Sequence, residues 1–255
     1  MELRPHDLLR IRTQTAAGVA HGAARAGMEN GLGVYRGMGL THDGVAPAWV
    51  EEALATPWVV VRRDLRRGDR VPVGVRGRQR NQRFAAYLEK STIAAVVTPE
   101  QLAAQAAWKS HARQLEVEAF SALDVLANRY RSLDLTWGPT GSLGFELASG
   151  APAAVQTSDV DLVIRAPRAW NKDEARSLQE FHQNFTVRID VQLETPNGAV
   201  SLAEYAREEG PILLRTSEGP RLVTDPWLTD PVRGSWSQFV VRGPMVGTQP
   251  LCKET

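Results

Sequence analysis

Ser158-Asp159-Val160-Asp161-Leu162-Val163-Ile164 is the stretch whose reading decides the fold. Side chains alternate in an extended strand, so Asp159 and Asp161 share one face while Val160, Leu162 and Ile164 point into a core. Two carboxylates held side by side on a rigid strand are hard oxygen ligands for Mg²⁺, which binds through a few carboxylates, several waters and substrate phosphate oxygens. The stretch therefore reads as part of a metal-dependent phosphoryl-group transferase site. Asp-x-Asp alone also fits a solvated strand edge, so its neighbours along the chain have to decide.

Downstream, Thr186-Val187-Arg188-Ile189-Asp190-Val191-Gln192-Leu193-Glu194 alternates apolar and polar residues, the pattern of a half-buried strand with Asp190 on its wet face. If this strand pairs beside the first, three carboxylates converge. Such a cluster repels itself until cations neutralise it, and two metal ions about 3.5–4 Å apart suit in-line displacement at phosphorus. Asp159, Asp161 and Asp190 are therefore the expected metal ligands and catalytic residues. Upstream, a short strand Leu135-Thr136-Trp137 leads through Gly138-Pro139-Thr140-Gly141-Ser142 into Leu143-Gly144-Phe145-Glu146-Leu147, which can open a helix. Glycine lets backbone approach a phosphate, and the free N–H groups of a helix start, with the Ser142 hydroxyl, can hold its oxygens. Gly141 and Ser142 are thus expected to bind substrate, although a plain Ser helix cap gives the same pattern.

Gly141-Ser142, then Ser158-Asp159-x-Asp161, then a later strand carrying Asp190 resembles the nucleotidyltransferase superfamily, whose fold is related to DNA polymerase beta. Three stretches narrow the likeness: Arg4-Pro5-His6-Asp7-Leu8-Leu9, the run from Val71 to Ala85 around Arg76-Gly77-Arg78-Gln79-Arg80, and Trp137-Gly138-Pro139-Thr140-Gly141-Ser142-Leu143-Gly144-Phe145-Glu146. Over most of its length the chain is similar to the malonate decarboxylase holo-acyl-carrier-protein synthases, which are phosphoribosyl-dephospho-CoA transferases. The resemblance implies attachment of a group from 2'-(5''-triphosphoribosyl)-3'-dephospho-CoA to a serine of the decarboxylase acyl carrier protein, with loss of pyrophosphate. It implies Mg²⁺ on Asp159 and Asp161 at the triphosphate, and Asp190 on a second metal or beside the serine hydroxyl. A carboxylate with a pKa near about 4 is a poor base for an alcohol, so metal coordination of the hydroxyl has to contribute most. Two stretches depart from the pattern. Sixteen residues separate Ser142 from Asp159, a long span expected to form a loop near the site, and the Ala- and Gly-rich residues 12–47 match nothing in the family and default to a mobile loop.

The expected fold class is α+β: a nucleotidyltransferase-type mixed sheet with helices, preceded by a smaller strand-containing domain. A change of character near residues 85–98 suggests an N-terminal accessory domain over residues 1–90, a catalytic domain over 91–242 and a flexible Gly- and Pro-rich tail over 243–255. Thr98-Pro99-Glu100-Gln101 predicts a capping box at a helix start, and Ser201-Leu202-Ala203-Glu204 repeats it before a short helix ending at Gly210. Leu115, Phe120, Leu123, Leu126 and Tyr130 recur at helical spacing, which predicts a helix over residues 111–131.

At 255 residues with 43% hydrophobic and 23% charged side chains, the chain is long enough for two cores and is not disordered throughout. Its longest apolar runs, Trp58 to Val61 and Ile93 to Val97, are far shorter than the roughly 20 residues a bilayer span needs. The first residues carry no apolar signal region, and the single Cys252 suits a reducing compartment; a cytoplasmic protein without membrane contact is expected. The five histidines show no zinc-ligand spacing. Net charge is only +1, yet nine arginines crowd residues 62–83, which points to an anionic partner. The triphosphate and an acidic carrier protein fit better than nucleic acid, for which no binding motif is present. Arg78, Arg80 and Arg83 are the expected contacts, against the plainer reading of a solvated charged loop. Two other functions fit the same residues: a nucleotidyltransferase acting on a small molecule or another protein, and an arginine-rich binding module without catalysis.

Overall fold

A computed structural model of the chain describes residues 2–13, 25–29, 32–207 and 210–228. They form an α+β structure built on two open sheets. The first sheet has eight strands: β1 (Leu8–Ile11), β2 (Arg25–Glu29), β3 (Leu32–Arg36), β4 (Leu40–His42), β5 (Trp58–Val61), β6 (Arg70–Arg76), β7 (Arg83–Glu89) and β8 (Ile93–Val97). Their order is β2-β3-β4-β7-β6-β5-β1-β8, and each neighbouring pair is antiparallel. A short helix, α1 (Trp49–Ala53), buries Val50 against this sheet's core of Leu9, Tyr35, Leu40, Val59, Val73 and Leu88.

Residues 12–47 correct the expectation of a mobile loop, because β2, β3 and β4 lie within them. Glycine here serves packing: a Cβ on Gly33 would stand 2.0 Å from the ring of His42, its cross-strand partner. The absent side chain admits that ring, so the composition that resembles a loop belongs to a strand. Residues 14–24 and 30–31 of the stretch lie outside the described residues, as does the proposed tail.

The second sheet is mixed. Its strands are β9 (Trp137–Pro139), β10 (Val160–Arg165), β11 (Ile189–Thr195), β12 (Gly198–Ser201), β13 (Ile212–Thr216) and β14 (Gly219–Val223), in the order β14-β13-β12-β11-β10-β9. Only β10 and β11 run parallel. Such a pair needs a crossover, and it is supplied by α5 (Lys172–His182), capped by Asn171. The remaining helices are α2 (Pro99–Gln105), α3 (Glu118–Ser132), α4 (Gly141–Ser149) and α6 (Leu202–Tyr205). The capping box at α2 is present in full, with Thr98 and Gln101 exchanging side-chain and backbone bonds.

Two helix expectations need correction. Helix α3 starts at Glu118, and Leu115 lies outside it, 94% exposed, although Phe120, Leu123, Leu126 and Tyr130 are buried as the spacing predicts. The chain before α3 follows Arg113, whose guanidinium is drawn to Glu146 on α4. At α6 Ser201 makes no cap bond; Glu204 accepts the Leu213 N–H of β13 instead, and the helix ends at Tyr205. A backbone donor of β13 outcompetes the local cap.

The two sheets meet across a small apolar cluster of Leu8 from β1, Leu102 from α2 and Phe145 from α4. Residue 90, the expected limit of the first domain, falls between β7 and β8 of one sheet, and the second sheet's elements begin with α2 at Pro99. Among the described residues no helix is long and apolar enough to cross a membrane.

Candidate active site

Strand β10 buries Val160, Leu162 and Ile164 in the core of the second sheet and leaves Asp161 half-buried on the other face. Its parallel pairing with β11 makes Asp161 and Asp190 Cα partners, so both carboxylates leave the same face of adjacent strands. Asp159 stands just ahead of the strand, two residues before Asp161. Burial, then repulsion by Asp190 and by Asp159, pushes the Asp161 carboxyl above the ordinary carboxylate range, offset in part by Arg80 and Arg76. The three acids thus share one electrostatic neighbourhood.

The turn before α4 closes against them. Thr140 donates its N–H to the Asp161 carbonyl at 2.8 Å, and Gly141 has φ +58, where a Cβ would stand 1.9 Å from Asp161 Oδ2. Only glycine fits there: the position needs both left-handed backbone and an empty space for the carboxylate. No side chain caps the N-terminus of α4, so its first N–H groups face this corner without a side-chain acceptor.

Both sheets contribute to a cleft of about 880 Å³. The second sheet presents Thr140, Gly141, Asp161, Asp190 and Gln192 to it; the first presents Arg62, Arg63, Arg76, Arg83 and Phe84; and the N-terminal segment adds Pro5 and His6. Of the residues expected from sequence, the cleft gathers Asp161, Asp190, Gly141 and Arg83. It does not gather four others. Ser142 is buried in the first turn of α4, Arg78 lies on the exposed connection between β6 and β7, and Asp159 and Arg80 form an ion pair with each other.

That pair bears on metal binding. The donor set suits Mg²⁺, being carboxylate oxygens on one rigid face, and the raised pKa of Asp161 marks a site where a cation would relieve repulsion. As the side chains stand, no three acidic, histidine or cysteine groups among the described residues close on a common point. Asp159 engages Arg80 instead.

Residues 101–226 match the family described as the phosphoribosyl-dephospho-CoA transferase MdcG C-terminal domain, and residues 4–99 match its N-terminal domain. Curated relatives named phosphoribosyl-dephospho-CoA transferase agree. The chain is 41% identical to that of Pseudomonas aeruginosa over 71% of this chain and 85% of the relative. For Pseudomonas syringae pv. tomato the figures are 43%, 71% and 85%, and for Azotobacter vinelandii 40%, 72% and 87%. The chain belongs to the phosphoribosyl-dephospho-CoA transferase family. No solved structure matches it.

Within this family member, the two matched regions meet where β8 ends and α2 begins. Sequence reasoning gives no site role to three cleft groups: Thr140 reads only as part of a turn, His6 only as part of the Arg4-Pro5-His6-Asp7 stretch, and Arg76 as one basic residue among nine. The hairpin held the missing signal, because β6 and β7 pair Arg76 with Arg83 as Cα partners. His6 is fixed over β11, with Nε2 3.8 Å from Glu194, and burial beside Arg63 and Arg165 lowers its pKa to about 4, so its ring is neutral at pH 7.

The long span between Ser142 and Asp159 has a definite anchor. Glu146 of α4, fully buried, accepts from the Arg113 guanidinium and from the backbone N–H groups of Ala153 and Ala154, each at 2.8 Å. One carboxylate therefore ties α4 to the segment that delivers Asp159.

Proposed function

We propose that this protein transfers the 2'-(5''-phosphoribosyl)-3'-dephospho-CoA group from its triphosphate precursor to a serine of the malonate decarboxylase acyl carrier protein, releasing pyrophosphate. The observation that carries the reading is the register of β10 and β11, which sets Asp161 beside Asp190 at the uncapped start of α4, in a chain of the transferase family. A parallel pair bearing carboxylates behind a glycine-serine turn also supports a nucleotidyltransferase-type fold for the second sheet and its helices.

In this reading the serine oxygen bonds to the α-phosphorus, the bond from that phosphorus to the bridging oxygen of pyrophosphate breaks, and the hydroxyl proton leaves toward Asp190 or solvent. Asp161 and Asp190, joined by Asp159 once it parts from Arg80, would hold Mg²⁺, which neutralises triphosphate charge and lowers the pKa of a bound hydroxyl. Gly141 leaves room for a phosphate to reach the backbone, and the first N–H groups of α4 offer it donors. Arg83 adds positive charge from the opposite wall. A cytoplasmic setting follows from the carrier-protein partner.

Intact mass spectrometry of the carrier after incubation with the triphosphoribosyl precursor, Mg²⁺ and this protein tests the reading. A mass gain equal to the prosthetic group is expected, and it should vanish when the carrier serine is replaced by alanine. No gain, or an adduct derived from ATP, refutes it.

A further inference from the structure

Among the described residues, no carboxylate neutralises by contact two of the cations that line the cleft. Arg76 and Arg83 sit opposite each other at the end of the β6–β7 hairpin, and both line the cleft. Arginines on the connections beside these strands are already engaged: Arg62 pairs with Asp64, Arg63 with Glu194, and Arg80 with Asp159. Among the described residues Arg76 donates only to the Ala153 carbonyl, at 3.3 Å, and its Nε is buried without a hydrogen-bond partner. Arg83, within the same described residues, donates only to the Gln82 carbonyl, at 3.0 Å. Among the described residues neither has a carboxylate within ion-pair distance. Asp161 acts on both through space without bonding to either.

Two like charges side by side, Arg76 half-buried and Arg83 exposed, repel each other unless something anionic meets them. Their environment bears this out: burial, then repulsion from Arg83, pushes the Arg76 guanidinium down to about 10, and burial lowers Arg83 as well. A guanidinium fork offers planar, paired donors that match phosphate oxygens. Across the cleft lie Asp161 and the start of α4, where the reacting phosphate is placed above.

We propose that Arg76 and Arg83 form a two-arginine clamp for the triphosphate of the substrate, contributed by the N-terminal sheet to a site whose carboxylates come from the other sheet. The assignment rests on the proposed function. Phosphate chemistry has two sources in that substrate, the triphosphate and the diphosphate within dephospho-CoA. Both arginines line the cleft together with Asp161 and Gly141, which assigns them to the triphosphate, the end where the bond breaks.

The test is calorimetric titration of the full-length protein with inorganic triphosphate and, separately, with dephospho-CoA, in EDTA and in Mg²⁺, for wild type, Arg76→Gln, Arg83→Gln and Arg83→Lys. Losing one charge-assisted clamp arm should weaken triphosphate binding about tenfold or more. Dephospho-CoA binding should change less than about twofold, and Arg83→Lys should recover part of the loss, since it keeps the charge without the fork. Arg83 is exposed and its variants should fold, so Arg83→Gln stays informative if Arg76→Gln does not. Triphosphate binding that is unchanged in Arg83→Gln, or a loss confined to dephospho-CoA, overturns the clamp. If the carrier gains no mass with wild type while triphosphate binding still depends on both arginines, the proposed function fails and the anion site stands.

Discussion

Replacing Asp7 by asparagine should change how stability depends on pH, by an amount the structure sets. Asp7 is 2% exposed; its Oδ2 accepts the Arg4 N–H at 2.8 Å, while its Oδ1 is buried without a partner. Burial, against smaller opposing effects of the Arg4 N–H and Arg165, raises its pKa from 3.8 to about 6. A carboxyl raised on folding prefers its protonated form in the folded state. Its stabilising contribution is complete below 3.8 and is lost as pH rises through about 6. At 1.36 kcal/mol per pKa unit, that gap is worth about 3 kcal/mol, of which about 2 to 3 fall between pH 4 and pH 7. The amide side chain keeps an oxygen for the Arg4 N–H and removes the titration. Urea denaturation of both proteins from pH 4 to pH 8 gives the difference in unfolding free energy. Any constant offset from the amide's extra N–H cancels along that series. So do the buried His6 and His182, both with pKa lowered to about 4, whose stabilisation weakens in both proteins as pH falls below 6.5. The difference should grow in favour of Asp7→Asn by about 2 to 3 kcal/mol from pH 4 to pH 7 and then level off. A difference that is flat across the range, or that shrinks as pH rises, refutes the reasoning.

Asp161→Asn should separate stability from activity. Its raised pKa means that the charge opposes folding, so in EDTA the variant should melt at or above the wild-type temperature while carrier modification falls about a hundredfold or more; a melt several degrees lower would show a structural carboxylate. Glu146→Ala strips the acceptor from Arg113 and from the N–H groups of Ala153 and Ala154, and should cost about 3 kcal/mol in urea titrations. A loss below about 1 kcal/mol would mean that water replaces the carboxylate at little cost. Arg80→Ala removes an exposed ion-pair partner, so stability should move by less than about 1 kcal/mol. Mg²⁺ binding read by calorimetry should tighten, because the guanidinium no longer competes for Asp159; weaker binding would count against Asp159 as a ligand.

The acidic strands were legible because their information is local. Alternation in residues 158–164 and 186–194 locates β10 and β11, and the capping box at Thr98 locates α2 to the residue. What stayed hidden depends on partners far along the chain. Leu115 carries helical periodicity, yet Arg113 leaves that path for Glu146, 33 residues away. Ser201 and Glu204 spell a cap, yet Glu204 serves β13. The glycines of residues 12–47 look like a linker because the ring that fills the space above Gly33 belongs to another strand. In the site, the three acids could be named from pattern, but the pairing of Asp159 with Arg80 joins residues 79 apart.

The exposure of the contacts between the two walls ranks which of them is the easier to open. The sum of charges, +1, conceals two opposed surfaces: arginines on the first sheet and carboxylates on the second. Among the described residues, two arginine–carboxylate pairs cross between them. Arg63 and Glu194 are 17% and 10% exposed, with His6 alongside, whereas the Arg80 side chain is 76% exposed. Breaking the first would strand a desolvated charge, a cost of several kcal/mol; releasing the second returns a guanidinium to water at a cost near zero. On the proposed function, a polyanion accompanied by divalent cations would therefore part Arg80 from Asp159 and leave Arg63 on Glu194, because the exposed pair costs less to open than the buried one. That exchange would free Asp159 for metal and Arg80 for phosphate, and Arg80→Ala, which removes the competitor for Asp159, is the variant that tests it.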